Sequence, residues 1–67
     1  MITLHINGQM RQFPAAMNLV ELLDSLDLAG KRIAVEKNGE IVPKSQHAAT
    51  PVSNGDQLEI VVAVGGG

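Results

Sequence analysis

The sequence ends in three glycines, Gly65, Gly66 and Gly67, which directly follow a run of alternating apolar residues. Fraying is the ordinary interpretation of such a terminus. Glycine carries no Cβ, however, and three glycines in extended form reach roughly 10 Å beyond the strand. The main-chain carboxylate on this stalk, ionised at neutral pH, could enter a channel that any side chain would block. The tail, with its terminal carboxylate, is therefore a candidate site of chemistry.

The other reactive side chains form no recognisable catalytic or metal-binding group. His5 and His47 are the two histidines, and no carboxylate cluster has ligand spacing with either, so we expect both at the surface. Glu21, Asp24 and Asp27 are expected on the solvated side of a helix. The chain has no cysteine, which excludes a thiolate zinc site and a cysteine nucleophile. We expect no catalytic residue, no metal and no bound cofactor.

Length and composition narrow the class of protein. A chain of 67 residues allows one domain and no large substrate cleft. The net charge of −2 argues against nucleic-acid binding. The sequence has neither a signal-peptide pattern nor an apolar run approaching the ~20 residues of a membrane span. We therefore expect a cytoplasmic protein that does not associate with membranes.

Alternating apolar residues predict a hairpin at the start of the chain. Residues 2–6 and 9–13 read as strands, and Asn7-Gly8 between them is typical of a type I′ turn. This register places Phe13 opposite Ile2 and Arg11 opposite Leu4. An inward Arg11 is tolerable only on an edge strand, where its guanidinium can reach water.

A single amphipathic helix follows. Asn18 is the predicted N-cap, and Glu21 stands three residues later as in a capping box. Gly30 is predicted to end the helix in the left-handed conformation. The apolar stripe comprises Leu19, Leu22, Leu23 and Leu26.

The second half of the chain predicts three further strands. Residues 32–37 and 40–42 flank an Asn38-Gly39 turn, and a long final strand follows Asn54-Gly55-Asp56. The signals over residues 44–52 are weak, with Ser45 a candidate cap for a single helical turn. In the final strand the residues expected to face the helix are Leu58, Ile60, Val62 and Val64.

These elements predict an α+β domain with the order ββαββ(loop)β, in which one helix packs on one face of a mixed sheet. We identify this arrangement as a ubiquitin-like β-grasp, with residues 1–64 as the domain and 65–67 as a flexible glycine tail. On the open face of the sheet, Met10, Val61 and Ala63, with His5 nearby, are candidates for a partner-docking surface, and Lys44 or Arg11 for its charged rim. Isolated exposed apolar residues are an equally good interpretation.

Six short segments together indicate more than the fold. They are Asn7-Gly8, Val20-Glu21-Leu22-Leu23, Val35-Glu36-Lys37-Asn38, Ile41-Val42-Pro43-Lys44, Asn54-Gly55-Asp56-Gln57 and Gly66-Gly67. Their combination resembles the ThiS sulfur carriers of thiamine biosynthesis over the full length of the chain. The turns and core segments alone would indicate only the fold, whereas the segment at residues 41–44 and the glycine tail make the resemblance specific.

The resemblance implies a protein substrate rather than an enzyme. In that family an adenylyltransferase similar to ubiquitin-activating enzymes uses ATP to adenylate the terminal carboxylate, here that of Gly67. Sulfur from a donor such as a cysteine desulfurase system then displaces AMP, and the thiocarboxylate delivers its sulfur to thiazole synthase. Gly66 would keep the approach open, and Gly65 would add reach. The sequence contains no phosphate-binding loop of its own.

Two alternatives remain open from the sequence. The small subunit of molybdopterin synthase shares the fold, the tail and the activation chemistry, but that family usually has longer chains. A binding module, or a ubiquitin-type modifier conjugated to lysine, is the alternative from a different class.

Overall fold

The computed structural model describes residues 1–63 and forms a five-stranded mixed sheet with one helix on one face. The strand order is β2-β1-β7-β4-β5, in which β1 and β7 are parallel and the other neighbours antiparallel. The predicted α+β architecture is thus confirmed. The elements are β1 (Ile2–Ile6), β2 (Gln9–Phe13), β3 (Met17–Asn18), α1 (Leu19–Ser25), β4 (Ile33–Lys37), β5 (Glu40–Val42), a 3₁₀ helix (Lys44–Ala49), β6 (Pro51–Val52) and β7 (Gln57–Val62).

The first hairpin has the register expected from the sequence. Ile2 lies opposite Phe13 and Leu4 opposite Arg11. The Asn7-Gly8 turn has positive φ at both residues, as a type I′ turn requires. Because β2 is an edge strand, Arg11 remains exposed although its neighbour across the strand, Leu4, is fully buried.

The start of α1 agrees with the sequence. The Asn18 side chain accepts from the backbone N–H of Glu21 at 2.8 Å, and the Glu21 carboxylate accepts from the backbone N–H of Asn18 at 3.0 Å. This reciprocal capping box satisfies two otherwise unpaired donors. A helix of seven residues is too short to be stable alone, so it depends on burying Leu19, Leu22 and Leu23.

The end of α1 differs from the prediction at Gly30. The helix ends at Ser25, and the left-handed residue after its C-cap is Asp27, with φ 63°. The Leu28 N–H donates to the Leu23 carbonyl at 2.8 Å, and the Asp27 N–H donates to the Asp24 carbonyl at 3.0 Å. This is a Schellman motif built on aspartate instead of glycine, and burial of Leu28 against the core helps to hold it.

The segment with weak sequence signals contains a 3₁₀ helix and a strand. Pro43 occupies the N-cap of the 3₁₀ helix without a side-chain cap, so the expected capping by Ser45 is wrong. The short β6 then pairs with β3, which immediately precedes α1, and neither strand was predicted. The two-stranded sheet that they form places Val52 in the core.

The core lies between the inner face of the main sheet and α1. Its buried apolar residues are Leu4, Ile6, Leu19, Leu22, Leu23, Val35, Val52, Leu58 and Ile60. Leu58 and Ile60 face inward as predicted, but Val62 is 39% exposed. Val62 lies on the same face as Ile60, as predicted, but it pairs with the half-buried Ile33 at the rim of the core and is therefore less buried. The prediction for Val64 lies outside the described residues.

The final strand β7 is held by side chains of the turns as well as by its neighbours. The Asn7 amide donates to the Ile60 carbonyl at 3.0 Å and accepts from the Ile60 N–H at 2.8 Å. The Asn38 side chain accepts from the Gln57 N–H at 2.9 Å. In the turn before β7, Asn54 accepts from the Thr3 N–H at 2.7 Å. Each of the three Asn-Gly turns therefore also ties β7 or its leading turn to the sheet.

A carboxylate at the start of β7 joins this network. The Asp56 side chain accepts from the Ser53 N–H at 2.8 Å and from the Asn38 amide at 3.2 Å, and it lies 3.6 Å from the Lys37 ammonium. Burial alone would raise the pKa of Asp56, but these donors outweigh that effect and lower the pKa below its usual value of 3.8. The ionised form is thus favoured by folding.

We expect Asn7→Gly to destabilise the domain by about 1–2 kcal/mol. Glycine tolerates the positive φ, so the turn survives while both hydrogen bonds to Ile60 are lost. Urea unfolding measures the loss, and Gln9→Gly, in the exposed edge strand beside the turn, is the comparison for glycine entropy. If the two variants were equally stable, the side-chain contribution of Asn7 would be refuted.

The free energy of unfolding should fall as the pH decreases through 3.8 and then through the lower pKa of folded Asp56. The folded state stabilises the ionised Asp56 carboxylate more than the unfolded state does, and protonation removes that stabilisation. Asp56→Asn should cost about 1–2 kcal/mol at neutral pH and make this acid-dependent loss smaller. Urea midpoints between about pH 2 and 6 test the expectation. An unchanged pH profile in the variant would contradict it.

Candidate functional site

The site indicated by the sequence begins where β7 ends. The last described residue, Ala63, is exposed, and its N–H donates to the Arg32 carbonyl at 2.9 Å, which continues the pairing of β7 beside β4. Gly65, Gly66 and Gly67 lie outside the described residues. The structure therefore defines the base from which this candidate tail departs.

The open face of the sheet carries exposed apolar side chains. His5 pairs with Met10 of β2 on one side and with Gln57 of β7 on the other, so the three side chains share a face. Val61 lies four residues after Gln57 in β7 and therefore points to that face as well. Met10 and Val61 are thus on one face, 70% and 60% exposed. Ile41, 71% exposed, lies on the same face at the opposite edge of the sheet. It pairs with Glu36, which in turn pairs with Glu59 of β7. The sequence analysis missed Ile41, although its alternation with Val42 was a usable signal.

Two carboxylates occupy the middle of this open face. Glu36 of β4 and Glu59 of β7 are directly opposed in the antiparallel register, an arrangement in which like charges repel. Within residues 1–63 neither forms a salt bridge with a lysine or arginine. A hollow of about 370 Å³ lies over this region, lined in part by His5, Glu36 and Glu59. The open face thus combines apolar side chains with an uncompensated acidic pair.

The expected basic rim is not on this face. Arg11 alternates with Met10 along β2 and therefore belongs to the opposite face. Lys44 starts the 3₁₀ helix and lines a groove beside α1. The hypothesis that either residue borders the candidate docking surface is wrong, and the charge that the structure places there is negative.

The histidines occupy different environments. His5 is half-buried on the open face, whereas His47 is only 5% exposed, so the expectation of a surface His47 is wrong. The 3₁₀ helix turns the His47 ring inward, where Nε2 lies 3.1 Å from the Val42 carbonyl and can donate to it. Among residues 1–63 no group of three His, Asp or Glu side chains could hold a metal ion.

The acidic side chains of the helical region have structural positions. Glu21 belongs to the capping box, Asp24 is exposed, and Asp27 forms the helix end. None of them reaches the open face of the sheet from the helix layer. Over residues 1–63, no helix has the length and apolar character needed to cross a bilayer.

The fold and the sequence both match those of known proteins. A solved structure of the thiamine biosynthesis protein ThiS from Geobacter metallireducens superposes with a TM-score of 0.85 at 33% identity, covering 98% of this chain and 100% of that one. The sulfur carrier protein ThiS of Escherichia coli is 36% identical over 61 residues, covering 91% of this chain and 92% of the carrier.

Longer proteins also match. A thiazole synthase of Paramagnetospirillum magneticum is 50% identical over 62 residues, which are 92% of this chain and 19% of the synthase. The chain thus spans about a fifth of the length of the thiazole synthases that it resembles. The ThiS family profile matches residues 4–67, and the chain belongs to the ThiS family.

Proposed function

We propose that this chain is a sulfur carrier of thiamine biosynthesis whose terminal carboxylate, at Gly67, is the atom group that carries the sulfur. The observation that carries the proposal is that the family match extends to residue 67 and so includes the three glycines. The identity with an established sulfur carrier and with thiazole synthases supports the same pathway. The chain acts in this proposal as a protein substrate, not as an enzyme.

The chemistry proceeds in two substitutions and one thiol–disulfide exchange. A carboxylate oxygen of Gly67 attacks the α-phosphorus of ATP and pyrophosphate leaves, which converts a poor electrophile into an acyl-adenylate. The terminal sulfur of the donor's persulfide then attacks the acyl carbon and AMP leaves, which gives an acyl disulfide. A reducing thiol finally attacks the donor's sulfur, forms a disulfide with it and releases the thiocarboxylate. The ATP site and the catalytic groups belong to the adenylyltransferase, because this sequence has no phosphate-binding loop.

The three glycines suit this transfer. Without side chains, Gly65, Gly66 and Gly67 allow the carboxylate to enter a narrow active site while the globular domain stays outside. The sulfur donor in this scheme is a cysteine desulfurase system, and the acceptor is thiazole synthase. The cysteine-free sequence keeps the sulfur at the terminus, since no thiol of the carrier competes for it.

The open face of the sheet is the proposed docking surface for the adenylyltransferase. Val61 and Ala63 lie closest along the chain to the tail, and Met10 lies on the same face as Val61. The opposed Glu36 and Glu59 favour a partner that places a basic side chain between apolar contacts, because such a group would relieve their repulsion. Docking here would orient the tail towards the active site.

Intact-protein mass spectrometry tests sulfur loading. With ATP, the adenylyltransferase and a sulfur donor, the carrier should gain the mass difference between sulfur and oxygen at its C-terminus. Deleting Gly67 should abolish the gain and leave the far-UV circular dichroism unchanged, and one residue added after Gly67 should be similarly damaging. An adduct with lysine of another protein, or loading of the deleted chain, would refute the proposal.

A charge on the docking surface should weaken activation. We expect Val61→Asp to lower kcat/KM for carrier-dependent ATP–pyrophosphate exchange about tenfold, mainly through KM, because a carboxylate would be desolvated in the contact. Ala48→Asp adds the same charge to an exposed site on the 3₁₀ helix and is the matched control. Equal effects of the two variants would locate docking elsewhere.

A further inference from the structure

A second surface lies on the helix side of the domain, opposite the open face. A groove of about 360 Å³ runs between α1, the loop that follows it and the 3₁₀ helix. Its apolar lining includes Val20, Leu28 and Ile33, and the inward-turned His47 forms part of its wall. Val20 is 48% exposed, so its side chain is accessible to a ligand in the groove.

The border of this groove is strongly basic. Lys31, Arg32 and Lys44 all line it, and these are three of the five lysine and arginine residues in a chain of net charge −2. All three are exposed, and the salt bridge found among residues 1–63 belongs to Lys37 instead. The groove is therefore a local positive region on an acidic protein.

The backbone fixes this cluster in place. The Schellman end of α1 sets the direction of the loop through the Leu28–Leu23 hydrogen bond, and the Lys31 N–H donates to the Leu28 carbonyl at 3.2 Å. The Arg32 carbonyl accepts from Ala63, and His47 ties the 3₁₀ helix, with Lys44 at its start, to β5. The cations are thus carried by anchored backbone on two sides of the groove.

We propose that this groove binds an acidic segment of a partner protein, with an apolar side chain against Val20 and Leu28 and carboxylates facing the three cations. The charge complementarity selects an anionic ligand, and the separation of the cations between two elements favours an extended one. The groove lies across the sheet from Met10 and Val61, so it can be occupied while the docking surface is in use. The proposal does not depend on sulfur transfer.

An NMR titration of the full chain tests the proposal. The probe is a synthetic peptide in which two leucines alternate with glutamates, and amide shifts should cluster at residues 20–33 and 44–47. Binding should weaken as NaCl is raised from about 50 to 500 mM, because exposed ion pairs are screened. Shifts on the open face, or no shifts, would overturn the proposal.

Charge variants of the protein and analogues of the peptide distinguish binding at the groove from a general effect of net charge. Lys44→Glu should weaken binding about fivefold or more, whereas Arg11→Glu, with the same change of net charge on the edge strand, should leave it unchanged. Equal weakening by both variants would show that binding depends only on net charge, which would overturn the proposal. A glutamine analogue that binds equally well, or inorganic pyrophosphate that reproduces the shifts, would overturn the assignment to an acidic peptide.

Discussion

The strand β7 is the element on which the arrangement depends, and asparagine side chains hold it in register. Asn7 forms two hydrogen bonds with the Ile60 backbone, in the manner of an additional strand residue. Asn38 does the same for Gln57 through one side-chain and one main-chain bond. The Asn7 contact extends a parallel pairing between β1 and β7 that otherwise spans two residue pairs, and the Asn38 contact extends the antiparallel pairing of β4 with β7. Placement of the base of the glycine tail therefore follows from turn residues.

The two surfaces of the domain have opposite electrostatic character. The open face presents Glu36 and Glu59 among apolar side chains, and the helix side presents Lys31, Arg32 and Lys44 around an apolar groove. Neither set is neutralised by salt bridges within residues 1–63. If the proposed contacts form, the two surfaces would select partners of opposite charge.

The sequence was sufficient where one local rule determined the structure. Alternation and the Asn7-Gly8 turn predicted the first hairpin and its register, and Asn18 with Glu21 predicted the start of α1. It failed where packing decided between local options. Asp27 takes the left-handed position after the helix, where the following Leu28 packs against the core. The preference of glycine for helix ends pointed to Gly30 instead and carries no information about this packing. His47 turns inward through a 3₁₀ helix that lacks a side-chain cap.

The same limit applies to the candidate surfaces. Met10 and Val61 followed from alternation, but the opposition of Glu36 and Glu59 requires the pairing of β4 with β7, which lie more than twenty residues apart in the sequence. The basic groove requires the meeting of a loop and a 3₁₀ helix. Local patterns identify which residues alternate, and only tertiary pairing brings their charges together.

The pairing of the first strand with the last also orders events during synthesis. Asn7 meets Ile60 across 53 residues, and Thr3 meets Asn54 across 51. Such distant contacts form late and slow the search for the native state. One edge of β1 in the β1–β2 hairpin therefore remains unpaired until β7 has been synthesised. A ribosome-bound fragment lacking that strand would offer no completed sheet for a partner to recognise.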